Sequence, residues 1–241
     1  MTLRVLSIFG TRPEAIKMAP VVHALHACSG EVESLVCVTA QHREMLDQVL
    51  ALFQIAPDVD LNLMAPGQTL PALTARVITG VDDVLARLQP DLVLVQGDTT
   101  TVMAAALAAF YRRIPVGHVE AGLRTNDRYN PFPEEINRRV AGQLATLHFA
   151  PTARAAEALR REGLSPEAIH VTGNTVIDAL HWVVRRPAPP DVESLLADLG
   201  CDHGRAGSRR LVLVTAHRRE SFGAPFEQIC LGLRDLARRN P

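Results

Sequence analysis

Three carboxylates, Asp98, Glu120 and Glu134, stand at positions from which side chains do chemistry. Asp98 follows the apolar run Asp91–Gln96, Glu120 ends the run Pro115–Val119, and Glu134 opens a helix behind Pro133. In a parallel α/β sheet, strand ends and helix starts gather in the crevice beyond the carboxyl edge, where ligands bind. Three acids at one mouth suit proton transfer, which needs an acid and a base whose environments separate their pKa values. Arg124, Arg138 and His118 lie in the same stretch and add cations and a titratable ring. Taken singly, Asp98 also reads as a helix N-cap, and Glu134 as a first-turn acid favoured by the helix dipole. Asp98, His118 and Glu120 together also suggest a metal hydrolase, but no HExxH or paired-histidine spacing accompanies them.

These positions require a scaffold of alternating strands and helices. Leu3–Phe9 reads as a strand, followed by the turn Gly10-Thr11-Arg12-Pro13 and a helix from Glu14 to Leu25. Pro20 is expected to kink that helix or end its first part. The turn matches neither GxGxxG nor GxxxxGK[ST], so it carries no dinucleotide or P-loop fingerprint. Its helix start still offers N–H groups to an anion, with Arg12 and Lys17 adding positive charge beside it. Lys17 is the single lysine among 25 basic residues, the rest being arginine. That singularity points to a need for a compact ammonium, which a planar guanidinium does not replace.

Further strands are expected at Val32–Ala40, Asp60–Leu63, Leu147–Ala150 and Ile169–Thr172, with helices at Glu44–Phe53, Leu70–Leu88, Thr99–Tyr111 and Thr152–Glu162. The alternation predicts a parallel sheet with helices on both faces. After Thr172 the character changes. A helix runs to Val184, RRPAPP forms a linker-like run at Arg185–Pro190, and helices at Val192–Leu199 and Pro225–Arg239 flank one apolar run, Leu211–Thr215, read as a buried strand. The expected domains are therefore 1–172 and 173–241, the second incomplete because one strand cannot cover both of its own faces.

Composition narrows the class. A net charge of −1 gives no single-sign field for nucleic acid, and two tyrosines and one tryptophan leave little to stack on bases. The four cysteines are scattered with no CxxC pair, which reads as reduced thiols in a cytoplasmic protein. No apolar stretch is long enough for a signal peptide or a bilayer span, so no membrane partner is expected.

Seven runs resemble one family. They are FGTRPEAIKMAP (Phe9–Pro20), TAQHREMLDQVL (Thr39–Leu50), GDTTT (Gly97–Thr101), IPVGHVEAGLRT (Ile114–Thr125), PFPEEINR (Pro131–Arg138), TGNTVIDAL (Thr172–Leu180) and TAHRRESFG (Thr215–Gly223). In this order they resemble the bacterial non-hydrolysing UDP-N-acetylglucosamine 2-epimerases. The resemblance implies an α/β fold: a Rossmann-like parallel-sheet domain and a second, here incomplete, Rossmann-like domain in the glycosyltransferase-B arrangement. It implies an isomerase that interconverts UDP-N-acetylglucosamine and UDP-N-acetylmannosamine for cell-envelope polysaccharides, without cofactor or metal, as a homodimer. Asp98, Glu120, Glu134 and His217 are then the catalytic residues, and Arg12, Lys17 and Arg138 bind substrate. Gln41 and His42 match a site for a second, regulatory UDP-N-acetylglucosamine, although Gly67 stands where some members carry an arginine.

The implied reaction explains the carboxylates. The C2 proton has no adjacent carbonyl, so the anomeric C1–O bond breaks first and UDP leaves. Positive charge then develops on the ring, a carboxylate removes the C2 proton to give a glycal, and UDP re-adds as a proton reaches the opposite face. His217, Arg12 and Lys17 suit the departing diphosphate. The alternatives are a hydrolysing 2-epimerase, a glycosyltransferase of the same architecture, and a non-catalytic nucleotide-sugar-binding remnant. Family members continue beyond the last residue here, so the 241-residue chain is expected to be inactive alone.

Overall fold

A computed structural model describes residues 2–39, 43–63, 65, 67–201, 211–216 and 222–240. The chain divides into two compact units, Met1–Arg186 and Pro187–Pro241.

The first unit is one sheet of seven parallel strands in the order β3-β2-β1-β4-β5-β6-β7. The strands are β1 (Leu3–Phe9), β2 (Val32–Val38), β3 (Val59–Asp60), β4 (Leu92–Gln96), β5 (Val116–Val119), β6 (Leu147–Ala150) and β7 (Ile169–Val171). Between and after them come α1 (Arg12–Ala27), α2 (Arg43–Leu52), α3 (Leu70–Leu88), α4 (Thr100–Tyr111), α5 (Glu134–Leu144), α6 (Ala153–Arg161) and α7 (Val176–Val184). Strand order reverses between β1 and β4, and such a switch point opens a crevice at the carboxyl ends of the two strands.

The period-2 alternation of the strands supplies both cores. Leu6 and Ile8 of β1 join Val93 and Val95 of β4 under α3 and α4. Val5 and Phe9 join Leu94 on the opposite face, under Met18, Ala19 and Val22 of α1 and Leu46 and Leu50 of α2. Helix α1 continues through Pro20 to Ala27, so the proline does not end it. Proline removes one helical hydrogen bond, but fully buried Met18, Ala19 and Val22 on either side hold the helix to the sheet. Helix α7 closes this unit, its Trp182 ring stacked on Phe53 at 4.7 Å.

The second unit contains α8 (Pro190–Asp198) and α9 (Ala224–Arg239). Residues 211–216 form no strand, and Leu211, Val212, Leu213 and Val214 are exposed, Leu213 at 85%. The expected buried strand is thus not there. An apolar run becomes a strand only where neighbouring strands take up its backbone N–H and C=O groups, and no other strand is present among the described residues of this unit. No described helix is long and apolar enough to cross a membrane.

Candidate active site

The crevice at the β1/β4 switch point holds a cavity of about 470 Å³, lined among others by Glu14, Lys17, Gln96, Asp98, Glu120 and Glu134. A larger cavity of about 820 Å³ lies beside Trp182 and Phe53. That one is predominantly apolar and contains none of the three central carboxylates, so the chemistry selects the smaller.

Asp98 follows β4 and Gly97, but it is not the cap of α4. That role falls to Thr99, whose Oγ1 accepts from Val102 N at 3.3 Å. The Asp98 side chain is left free to pair with Arg138 at 2.8 Å, while its backbone carbonyl accepts from Asn137 Nδ2 at 3.0 Å. Burial raises the pKa of Asp98; the neighbouring charges of Glu134 and Glu120 add to this, and Arg138 and Lys17 oppose it. This carboxyl therefore keeps its proton to higher pH than an isolated aspartate does.

Glu120 ends β5 with a φ of 62°, a left-handed conformation that a side chain of this length rarely adopts. Three donors fix it. Lys17 Nζ and Gln96 Nε2 each reach Oε2 at 2.6 Å, and Asn174 Nδ2 reaches Oε1 at 2.8 Å. Both oxygens act as acceptors. A strained residue over-determined by its surroundings is common at functional sites. Glu134, the first residue of α5, lines the same cavity and makes no side-chain hydrogen bond among the described residues.

The first βα turn differs from its sequence reading. Two of its N–H groups, those of Gly10 and Thr11, are not offered to an external anion, because Glu14 occupies them. Oε2 of Glu14 accepts from Gly10 N at 3.0 Å and Thr11 N at 2.7 Å. Oε1 accepts from Thr99 Oγ1 at 2.7 Å, which ties the β1–α1 turn to the β4–α4 turn. Glu14 is only 2% exposed, and burial raises its pKa against the pull of these hydrogen bonds. The turn is close-packed: a Cβ on Gly10 would lie 2.0 Å from Thr39 Oγ1 and 2.8 Å from Thr101 Oγ1. Thr99 thus serves two elements, and Thr99→Ala is expected to lower stability by about 1–2 kcal/mol, in line with loss of a helix cap. Urea denaturation followed by circular dichroism measures it.

Of the other sequence candidates, Lys17 is on Glu120 and Arg138 on Asp98. Arg12 is exposed on the first turn of α1 and pairs with nothing among the described residues. His118 is buried, its Nε2 at 2.7 Å from the Gly97 carbonyl, and burial pushes it down to about 4. It is the core ring behind the site and does not line the cavity. Arg124 turns away to Glu162. Gln41, His42 and His217 lie outside the described residues. Sequence reasoning missed Glu14, Gln96 and Asn174 as site residues. Only Glu14 had a local signal, the Thr11-x-x-Glu14 spacing of a capping box.

A seven-stranded parallel sheet with half-buried acids at its switch point defines a Rossmann-like α/β protein. A sequence model of the UDP-N-acetylglucosamine 2-epimerase family matches residues 23–241. The chain belongs to that family. It is 56% identical over 240 residues to the UDP-N-acetylglucosamine 2-epimerase of Yersinia pestis, a match covering 99% of this chain and 63% of the relative. The Salmonella typhimurium enzyme of the same name is 57% identical over 239 residues, with the same coverage of each chain. The crystal structure of UDP-GlcNAc 2-epimerase from Neisseria meningitidis bound to UDP-GlcNAc superposes with a TM-score of 0.86 at 47% identity, covering 99% of this chain and 64% of that one. The chain therefore spans about 63% of the length of these curated relatives.

Proposed function

We propose that this chain carries the acid–base half of a UDP-N-acetylglucosamine 2-epimerase, acting by elimination and re-addition of UDP at C1–C2. The observation that carries the reading is the convergence of Asp98, Glu120 and Glu134 on one cavity with Lys17, in a chain that belongs to this family. The local environments divide the labour. Glu120 is held by three donors and serves as the fixed negative charge facing the positive ring that forms as C1–O breaks. Asp98 has a pKa raised by burial, and Glu134 has no competing partner among the described residues. These two exchange the C2 proton, one removing it to give the glycal and the other delivering one to the opposite face. Lys17 keeps two N–H donors beyond the one it gives Glu120, and Arg12 stands exposed nearby. Both are assigned to the leaving diphosphate. The homodimer belongs to the same reading, with Phe110 and Tyr111, exposed at the end of α4, as apolar surface to cover. Light scattering checks it.

The test uses the chain and a chimera in which it replaces the matching 239 residues of the Salmonella typhimurium relative. Each is supplied with UDP-N-acetylglucosamine in deuterium oxide and followed by NMR. The chimera is expected to form the C2 epimer with solvent deuterium at C2. A folded chimera that leaves C2 protonated, or that releases free N-acetylmannosamine, overturns the proposal.

A further inference from the structure

On the far side of Arg138 from the carboxylate crevice lies a second cavity of about 740 Å³. The loop after β5, helix α5 and helix α6 wall it, and five arginines line it: Arg124, Arg138, Arg139, Arg154 and Arg161. Glu157 and Glu162 are the acids in that lining.

Those acids do not use up the arginines. Glu162 serves Arg124, with contacts at 2.7 and 2.6 Å, and also Arg139 at 3.7 Å. Glu157 is shared by Arg161 at 3.2 Å and Arg160 at 3.7 Å. Fully buried Glu135 takes Arg139 at 2.9 Å and Arg138 at 3.8 Å. Arg154, exposed on the first turn of α6, has no acidic partner among the described residues. Counting Asp98 with Glu135, Glu157 and Glu162, four carboxylates face six guanidinium groups. Each guanidinium offers five N–H donors and no acceptor. A concave site with surplus positive charge and unused planar donors matches oxyanions, which arginine binds bidentately. The Gly122 backbone helps to form the wall, held so near α6 that a Cβ there would lie 2.3 Å from the Ala155 carbonyl oxygen.

We propose that this arginine-walled cavity binds a small, multiply charged oxyanion of the phosphate or diphosphate class, and that its occupancy reaches Asp98 through Arg138. Arg138 is the connection because it pairs with Asp98 at 2.8 Å and also lines the second cavity. An anion that draws this guanidinium toward itself loosens the pair, and Asp98 then keeps its proton to higher pH. The binding half stands independently of the epimerase reading. The coupling half rests on it only for its consequence in turnover.

The experiment is calorimetric titration of the 241-residue chain with inorganic pyrophosphate at low ionic strength, with UDP in a second arm to separate a free anion from a nucleotide. Arg154→Gln and Arg161→Gln remove exposed lining arginines outside the carboxylate crevice, and each is expected to weaken pyrophosphate about tenfold. Lys17→Gln, in the crevice assigned to the leaving diphosphate, identifies any pyrophosphate held there instead. UDP binding that also falls in the two arginine variants supports the same phosphate chemistry. Unaltered pyrophosphate affinity in both arginine variants, whether or not Lys17→Gln weakens it, or no measurable binding to the chain overturns the site. For the coupling, the ¹³C carboxyl signal of Asp98 is titrated with and without pyrophosphate, and its midpoint is expected to rise when the anion is bound. An unmoved midpoint with the site saturated overturns the link, and this readout does not depend on turnover.

Discussion

Asp98→Asn, made in the chimera with the Salmonella typhimurium relative, lowers turnover by about 10²–10⁴-fold, the range of a positioned acid or base. The size follows from what the substitution removes. The amide is nearly isosteric with the carboxyl, keeps an oxygen toward Arg138 and does not disturb the cap of α4, because Thr99 provides it. On the proposed reading, what is lost is exchange of a proton with C2. Glu134→Gln falls in the same range for the same reason. Glu120→Gln differs in kind, because an amide NH₂ on Lys17, Gln96 or Asn174 puts donor against donor. It is expected to lose turnover and also some stability. The check is steady-state turnover beside thermal melts of the same samples. Asp98→Asn that melts like the parent and turns over within about threefold of it, far short of the range for a positioned acid or base, removes Asp98 from proton transfer.

The second large effect is acid destabilisation centred on β5. His118 is fully buried, and its Nε2 must donate to Gly97, since a carbonyl only accepts. Its Nδ1 has no hydrogen-bond partner among the described residues, and neither does that of His148, directly opposite it on β6. Burial holds the folded-state pKa of His118 near 4, below the ordinary value of about 6.5 for an unfolded histidine. A depressed pKa means that the unfolded chain binds the proton first. The stability from this site is therefore full above about pH 6.5, declines as pH falls, and is gone by about pH 4. At about 1.4 kcal/mol per pH unit the loss is about 3 kcal/mol. His148, also lowered by burial, adds to it in the same direction. Urea midpoints at about pH 7, 5.5 and 4, which span the two pKa values, measure the slope. His118→Asn, whose amide still donates to Gly97, is expected to flatten it. An equal slope in both proteins assigns the acid effect to other groups.

Much of the sheet was legible because each strand is a short apolar run with a polar end, and each helix has its own start signal. The acids at strand ends were legible for the same reason: Asp98 and Glu120 sit where β4 and β5 stop. What escaped were residues whose role depends on distant partners. Gln96 is 24 residues from Glu120 and Asn174 is 54 residues from it, so no local pattern marks either amide. Glu14 looked like an ordinary first-turn acid, yet its bond to Thr99 spans 85 residues. Leu211–Val214 show the opposite error, in which a local signal was given too much weight. An apolar run without neighbouring strands stays unpaired.

The carboxyl seated on Gly10 and Thr11 also bears on how this scaffold can be redesigned. The first βα turn of a Rossmann-like sheet is the usual socket for a dinucleotide pyrophosphate, and here the chain supplies its own plug. Grafting glycines into the turn would not by itself produce a nicotinamide-binding protein, because Glu14 would contest every phosphate that approached. Removing it would release Thr99 as well, and so loosen the segment that presents Asp98. Recruitment of a redox cofactor and retention of the acid–base crevice are thus opposed at one side chain, and a lineage or a designer starting from this fold would have to give up one to gain the other.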